Sequence, residues 1–347
     1  MKIWGFVVLG MALVVPADAQ ETSNVVPAEP LERADPHYPR AHLQVGRQGW
    51  VKVSYSIDES GRPQNISVVD STGHEAFELS AIDAVENWRF KPSMVDGKPA
   101  WQSRNQSVIT FEISQGNIGA NRPFSRRYEK MGELIEKGRL DEAREYFDET
   151  LAGYALSLYE ISNLWAQRAR LELAAGDPRA LRTAVRRATI SDGQWIKEET
   201  HRELLALRVR AELNLGNWAA VLYAFEKLVE ISGEADPAVA SLRPFIDKLV
   251  ATINSGIALT TPAEIRREEG CISCNNSASQ TLVYRQFALS EVVGKLDAIE
   301  IQCDRRRYES EISDVVEWHI PESWGKCRVD VRGEPGTTFN IVQFPAN

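Results

Sequence analysis

An alternation of apolar and polar residues from Trp50 to Ile57 constrains this chain more than any other feature. Every second residue from Val51 onward is apolar, which is the period of a strand buried on one face. The sequence DESGRP that follows favours a tight turn, because Gly61 can adopt a positive φ and Pro63 restarts an extended chain. A second strand through Ile66, Val68 and Val69 then completes a predicted β-hairpin.

The period changes to that of a helix between Glu75 and Arg89, and a further strand is predicted over about Ser107 to Ile113. A helix on one face of a three-stranded antiparallel sheet buries the apolar faces of both. The edges of such a sheet carry unpaired N–H and C=O groups that can accept an added peptide strand, unless neighbouring domains cover them. The residues expected to face the core are Phe77, Ala81, Ile82, Val85 and Trp88 of the helix and Ile109, Phe111 and Ile113 of the strand.

Four motifs in this segment occur in a familiar order: Tyr38-Pro39, GWVKVSYSIDESGRP, FELSAIDAVENWRFKP and DGKP. Together they resemble the C-terminal domain of the TonB energy-transducer family over roughly residues 36–114. In that family the domain binds a short segment of outer-membrane receptors, chiefly by pairing it with the last strand and also by contacts near the stretch before the first strand. Tyr38 and Pro39 match the family's motif. Packing within the domain is at least as good an interpretation of these two residues as contact with a partner.

The resemblance implies two sets of partner-binding residues. The strand that would pair with the partner consists of Ser107, Val108, Ile109, Thr110, Phe111, Glu112 and Ile113. The contact region before the first strand consists of Gln44, Val45, Gly46, Arg47, Gln48, Gly49 and Trp50.

The N-terminal 19 residues have the layout of a signal peptide, with Lys2, an apolar run from Ile3 to Val15, and the small-residue site Ala17-Asp18-Ala19. The run is shorter than the roughly 20 residues that span a bilayer. We therefore expect cleavage, a linker over residues 20–35 and a periplasmic protein. The alternative is a retained anchor in the inner membrane facing the periplasm. TonB transducers place the domain last, after an anchor and a Pro-rich spacer, whereas here it comes first.

Residues 122–255 are rich in Ala, Leu, Glu and Arg, and three segments within them align. The segments begin at Gly138, Gly176 and Gly216, and each has apolar residues five and nine positions later. Glycine suits the end of one helix and the apolar positions the buried stripe of the next, so the pattern predicts stacked helical hairpins. It resembles tetratricopeptide repeats. Such an array either binds proteins on a concave surface or separates the domains at its ends.

Short apolar runs in residues 270–347, TLVYRQFAL, LDAIEIQC, CRVDV and TTFNIVQF, predict a small β-rich domain. Its four cysteines allow three pairings. Cys303 and Cys327 alternate with inward residues of two strands, which favours a Cys303–Cys327 disulfide and leaves Cys271–Cys274. A thiol redox site at Cys271 and Cys274 and a four-cysteine metal site are the alternatives.

The net charge of −9 argues against nucleic acid as a partner, and the runs Arg186-Arg187 and Arg305-Arg306-Arg307 are interpreted as solvated surface. The five histidines show no metal-ligand spacing, and no phosphate loop or nucleophile motif is present, so neither an enzyme nor a cofactor is expected. The sequence predicts an α+β multidomain protein that binds an outer-membrane receptor segment or another envelope protein. A homodimer, an anchored energy transducer and a thiol-disulfide oxidoreductase are the other hypotheses, and no small-molecule substrate is evident.

Overall fold

The computed structural model describes residues 25–113, 119–266, 276–304, 306–312 and 317–345. The expected signal peptide, Cys271 and Cys274 lie outside these residues. Antiparallel strands come first along the chain, followed by a helical region and a second region of strands. None of the helices in the described ranges combines the length and apolar character needed to cross a bilayer.

The first region contains the predicted hairpin, helix and third strand, and its sheet has the order β4-β3-β8. The face formed by Val51, Val53 and Ile57 is buried, and α2 covers it with Phe77 and Val85. The third strand starts earlier than expected and ends at Phe111, because Phe111 pairs with Gly49, the first residue of β3. Glu112 and Ile113 therefore follow the strand. The elements are β1 (Val25–Val26), β2 (Glu29–Glu32), α1 (Arg40–Gln44), β3 (Gly49–Ile57), β4 (Pro63–Ser71), α2 (Glu75–Glu86), β5 (Arg89–Lys91), β6 (Ser93–Val95), β7 (Lys98–Ala100) and β8 (Gln102–Phe111).

The hairpin turn confirms the role expected of its glycine. Gly61 has a φ of +80°, and a Cβ atom there would lie 1.8 Å from the carbonyl oxygen of Phe90. The Asp58 carboxylate accepts hydrogen bonds from the backbone N–H groups of Ser60 and Arg62, each at 2.9 Å. Only glycine fits this turn, because it combines a left-handed conformation with a close backbone approach.

Residues expected in a linker form short strands on the first region. β1 pairs with β6, and β2 pairs with β5. Residues 25–32 therefore extend the first region beyond its sequence motifs.

Seven helices form consecutive antiparallel hairpins that stack in order. The turns at Gly138, Gly176 and Gly216 all have positive φ, as the aligned segments predict. The apolar positions that follow them are buried in two adjoining clusters, which confirms the helical hairpins. The helices are α3 (Arg122–Glu136), α4 (Leu140–Gly153), α5 (Leu158–Ala175), α6 (Pro178–Ala188), α7 (Glu198–Asn214), α8 (Trp218–Ser232) and α9 (Pro237–Asn254).

The last region consists of two four-stranded sheets, β10-β15-β12-β13 and β14-β11-β16-β9, that share one hydrophobic cluster. The run TLVYRQFAL, expected as one strand, is divided between the sheets. The N–H groups of Val283 and Tyr284 donate to Gln343 Oε1 at 2.7 and 3.3 Å, so they join no strand ladder. The strands are β9 (Leu259–Glu264), β10 (Ser277–Thr281), β11 (Gln286–Val293), β12 (Leu296–Cys303), β13 (Arg307–Glu311), β14 (Glu317–His319), β15 (Cys327–Gly333) and β16 (Thr338–Phe344).

The helical region holds both β regions through one stripe of arginines on α6. Arg186 Nη2 lies 3.1 Å from Asp70 Oδ2 of β4, and Arg187 Nη2 lies 2.9 Å from Asp70 Oδ1. One and two turns earlier, Arg182 reaches Glu212 of α7 at 4.0 Å and Arg179 reaches Glu264 of β9 at 3.1 Å. The interpretation of Arg186-Arg187 as solvated surface is wrong, because Arg187 is only 8% exposed.

Two further contacts close the junction between the regions. Trp50 of β3 is fully buried against Leu158 and Ile190. Strand β12 of the last region contacts β8 of the first. The helical array therefore brings the two β regions together and does not hold them apart.

Candidate partner-binding edge

Strand β8 forms an edge of the first sheet. Within the described ranges it pairs with β3 alone, in the register Val51↔Ile109 and Lys52↔Val108. The backbone groups of Trp50 point away from β8, toward β4. There the Trp50 carbonyl accepts a hydrogen bond from the N–H of Thr72 at 3.1 Å. Because strand residues direct their backbone groups to alternate sides, Ile109 and Phe111 bond to β3. The N–H and C=O groups of Val108 and Thr110 therefore face away from β3, on the side where no described strand pairs with β8.

Aromatic packing fixes the end of this edge strand. The rings of Phe111 and Phe77 stack at 4.3 Å, and the Tyr38 ring meets both edge-on at 5.8 Å. The Tyr38 hydroxyl donates to the Arg47 carbonyl at 2.6 Å, and burial raises its pKa. Pro39 is the residue before α1. The Tyr38-Pro39 motif thus packs the segment just before α1 against the end of β8.

The expected contact region before β3 divides into two halves. Val45 is 59% exposed, and the nearby Arg47 carbonyl shares the Tyr38 hydroxyl with the carbonyl of Phe111 at the end of β8. Gln48 is 8% exposed, and it donates its N–H to Leu156 O at 3.1 Å while its Oε1 accepts from Leu158 N at 3.0 Å. Of this region, residues 44–47 are at least partly accessible, whereas Gln48 and Trp50 are covered by the helical region and Gly49 packs on Phe77. Their contact with a partner remains a prediction.

Two histidines and an arginine lie beside this accessible half. Arg47 Nη1 is 3.2 Å from His74 Nε2, and the ring centres of His42 and His74 are 5.2 Å apart. Burial, followed by the positive charge of Arg47, lowers the pKa of His74 to about 4. His42 also has a lowered pKa, for which burial is the larger cause. The sequence carries no signal for this cluster, because His42 and His74 are far apart along the chain.

The disulfide of the last region is confirmed. Cys303 and Cys327 lie directly opposite each other on β12 and β15 and are bonded. The bond therefore supports the strand that contacts β8. In the described part of the chain, no three His, Cys, Asp or Glu side chains lie close enough together to hold a metal ion.

The first sheet is covered by α2 on one face and by the helical region on the other, and within the described ranges β8 pairs with β3 alone. Residues 34–113 match the family described as Gram-negative bacterial TonB protein C-terminal. This segment is therefore a TonB C-terminal-type domain, as its motifs predict.

Relatives of known name share this segment. A protein TonB of Yersinia enterocolitica is 39% identical over 61 residues, which cover 18% of this chain and 24% of that protein. A protein TonB of Vibrio cholerae is 33% identical over 73 residues, covering 21% of this chain and 30% of that protein. The matched segment thus spans 24% and 30% of the length of these two relatives.

Among solved structures, the solution NMR structure of the Pseudomonas aeruginosa TonB C-terminal domain is similar to this chain. The two are 31% identical, with a TM-score of 0.24. The similarity covers 26% of this chain and 90% of that structure.

Proposed function

We propose that this protein is a periplasmic interaction protein whose TonB-like domain binds a segment of an outer-membrane transporter or another envelope protein. The observation that carries the proposal is the edge of β8 that pairs with no described strand, since β12 of the last region contacts β8 without pairing with it. Val108 and Thr110 offer N–H and C=O groups there that no described strand uses. A peptide that adds to this edge gains about 0.5–1.5 kcal/mol net for each backbone hydrogen bond.

Rigid support of the edge favours a binding role. The aromatic stack at Phe111 and Phe77 anchors the end of β8, and Trp50 locks the opposite face of the sheet onto the helices. Since the strand is ordered before a partner arrives, little conformational entropy is lost on binding. The accessible residues 44–47 would then contact the partner beyond the end of the added strand.

The proposal makes Thr110→Pro the informative substitution. Proline removes the outward N–H of Thr110 and places its ring in the path of an added strand, while the ladder between β8 and β3 stays intact. In a pull-down from envelope extract, we expect the wild-type chain to recover an outer-membrane transporter or assembly protein and Thr110→Pro to lose it. Thr110→Val, which keeps the N–H, serves as the matched control and should bind normally.

Two outcomes would contradict the proposal. One is equal recovery of the same partners by Thr110→Pro and wild-type protein with both folded by circular dichroism. The other is recovery of no envelope protein by either. A wild-type chain that captures a second copy of itself, with loss in Thr110→Pro, would instead assign the edge to a homodimer. N-terminal sequencing of the mature protein decides between a cleaved signal and a retained anchor.

A further inference from the structure

Strand β13 forms an exposed edge of the last region. Among the strands that the structure describes, it pairs with β12 alone. Four of its five residues are exposed, and the fifth, Ser310, is partly buried. The other edge strand of the same sheet, β10, packs against α8 and β9 instead. An uncovered edge of this kind is a template for pairing with another chain.

The hydrogen bonds at the two ends of the ladder between β12 and β13 show which backbone groups point outward. The N–H of Cys303 donates to the Arg306 carbonyl at 2.8 Å, and the N–H of Ile312 donates to the Asp297 carbonyl at 3.0 Å. Backbone groups alternate in direction along a strand, so every second residue from position 306 to position 312 bonds to β12. The residues of β13 whose N–H and C=O groups point away from β12 are Arg307, Glu309 and Glu311.

The two faces of β13 differ in chemistry. Tyr308 lies opposite the buried Ile301, so its ring is on the core side of the sheet, where it is 40% exposed. Arg307 and Glu309 lie on the other face, and Arg307 Nε is 2.6 Å from Glu300 Oε1. The edge therefore presents an aromatic ring on one face and charges of both signs on the other.

The order of these charges is complementary to itself. Edge strands that avoid pairing carry charges that repel or block a second chain. In β13 an arginine and a glutamate stand on either side of Tyr308. When two copies run antiparallel about a two-fold axis at Tyr308, Arg307 of each copy lies opposite Glu309 of the other. This register also places outward backbone groups opposite outward backbone groups, as a ladder requires.

We propose that β13 is a dimerisation strand, through which two copies of this chain join their last regions. The interface uses the same surface of both copies, as two-fold symmetry demands. It would form one continuous sheet with four strands from each copy. The two Tyr308 residues face each other at a non-hydrogen-bonded position, where the Cα atoms are about 4.5 Å apart. One pair of strands buries little surface, so the dimer is reversible.

This inference goes beyond the proposed function. Partner binding would use the edge of β8 in the first region, whereas dimerisation uses β13 in the last region. A dimer would carry two β8 edges in one assembly, which strengthens the capture of a partner that offers more than one segment. Either proposal can fail in an experiment without affecting the other.

Disulfide crosslinking of the full chain tests the register. Two cysteines placed by Tyr308→Cys would face each other at about 4.5 Å between Cα atoms, which is within the range of a disulfide. Ser310→Cys is the matched control, because its two copies would lie four residues apart along the strands, or about 14 Å. After mild oxidation we expect Tyr308→Cys to run as a dimer without reductant, and Ser310→Cys and the wild-type chain to run as monomers.

Sedimentation velocity tests the backbone pairing. We expect the dimer fraction of the wild-type chain to rise with concentration. Glu309→Pro removes an outward N–H and leaves the ladder with β12 intact. By symmetry it deletes two hydrogen bonds of the interface, so the dissociation constant should rise at least about fivefold. Thr110→Pro makes the same change on β8 and should leave the dimer unchanged.

Three results would overturn the inference, with the fold of each variant verified by circular dichroism. The first is a wild-type chain that stays monomeric at every concentration. The second is equal crosslinking of Tyr308→Cys and Ser310→Cys. The third is a dimer that Thr110→Pro abolishes and Glu309→Pro does not.

Discussion

The ion pairs of Asp70 allow a quantitative prediction for Asp70→Asn. Asp70 is 3% exposed and receives three guanidinium contacts of 2.9 to 3.1 Å from Arg186 and Arg187. Asparagine keeps the shape and one acceptor oxygen but removes the negative charge that pairs with the buried Arg187. Breaking one side of a buried pair costs about 3–5 kcal/mol. We expect the lower end, about 3 kcal/mol, because the partly exposed Arg186 contributes little.

The free energy should be lost at the contact between the sheet and the helices, so the assay must report on that contact. The amide of Leu158 bonds to Gln48 Oε1 across it. A loss of about 3 kcal/mol corresponds to roughly 100-fold faster hydrogen exchange at this amide, since each 1.4 kcal/mol is a factor of ten.

The control for this experiment is Asp141→Asn. Asp141 also pairs with an arginine, Arg144 at 2.9 Å, but its side chain is 95% exposed. Such a surface pair contributes less than about 1 kcal/mol. If Asp70→Asn accelerated exchange at Leu158 by no more than Asp141→Asn, the ion pairs would not hold the sheet to the helices.

Three other substitutions test the structure elsewhere. Replacing both Cys303 and Cys327 by alanine should destabilise the last region by about 3.5 kcal/mol, which is the loop-closure free energy for a separation of 24 residues. Urea unfolding measures this loss, and an unchanged unfolding midpoint would refute the prediction. Gly61→Ala should lose about 2–5 kcal/mol, because it adds a clash with the Phe90 carbonyl to the strain of a positive φ. Gly97→Ala, whose φ is +77° with nothing near the new methyl, should lose only the strain, and equal losses would exclude the clash. His74 has its pKa lowered from 6.5 to about 4, so the unfolded chain binds the extra proton between these values and stability falls as pH drops through this window. Stability curves against pH should show His74→Gln less acid-sensitive by about 1–3 kcal/mol at pH 4, and parallel curves would contradict the shift.

Local periodicity predicted the elements of this fold well. The alternation along Trp50–Ile57 located the buried face of β3, and the glycine phasing located three helical hairpins. Both features depend on residues close in sequence, where the spacing of apolar side chains reflects the geometry of the element. The inward Cys303 and Cys327 were found in the same way, because each alternates with buried neighbours.

Contacts between regions escaped prediction. Trp50 lies out of phase with the buried face of β3, yet it is fully buried because α5 covers the opposite face. Arg187 sits in a basic run that suggests exposed surface, and its counter-ion Asp70 is distant in sequence. A sequence pattern shows which face of an element is apolar. It does not show which polar residues meet a partner from another region.

The arginine stripe of α6 also restricts how the length of this chain can change. An α-helix turns about 100° for each residue, so one residue inserted between Arg182 and Arg186 would carry Arg186 away from Asp70 while Arg179 still faced Glu264. A surface loop can accommodate an insertion locally. An insertion in α6 would instead rotate the arginine that pairs with the first β region relative to the arginine that pairs with the last. We therefore expect insertions and deletions to be tolerated in the turns between helices and rejected within these eleven residues of α6.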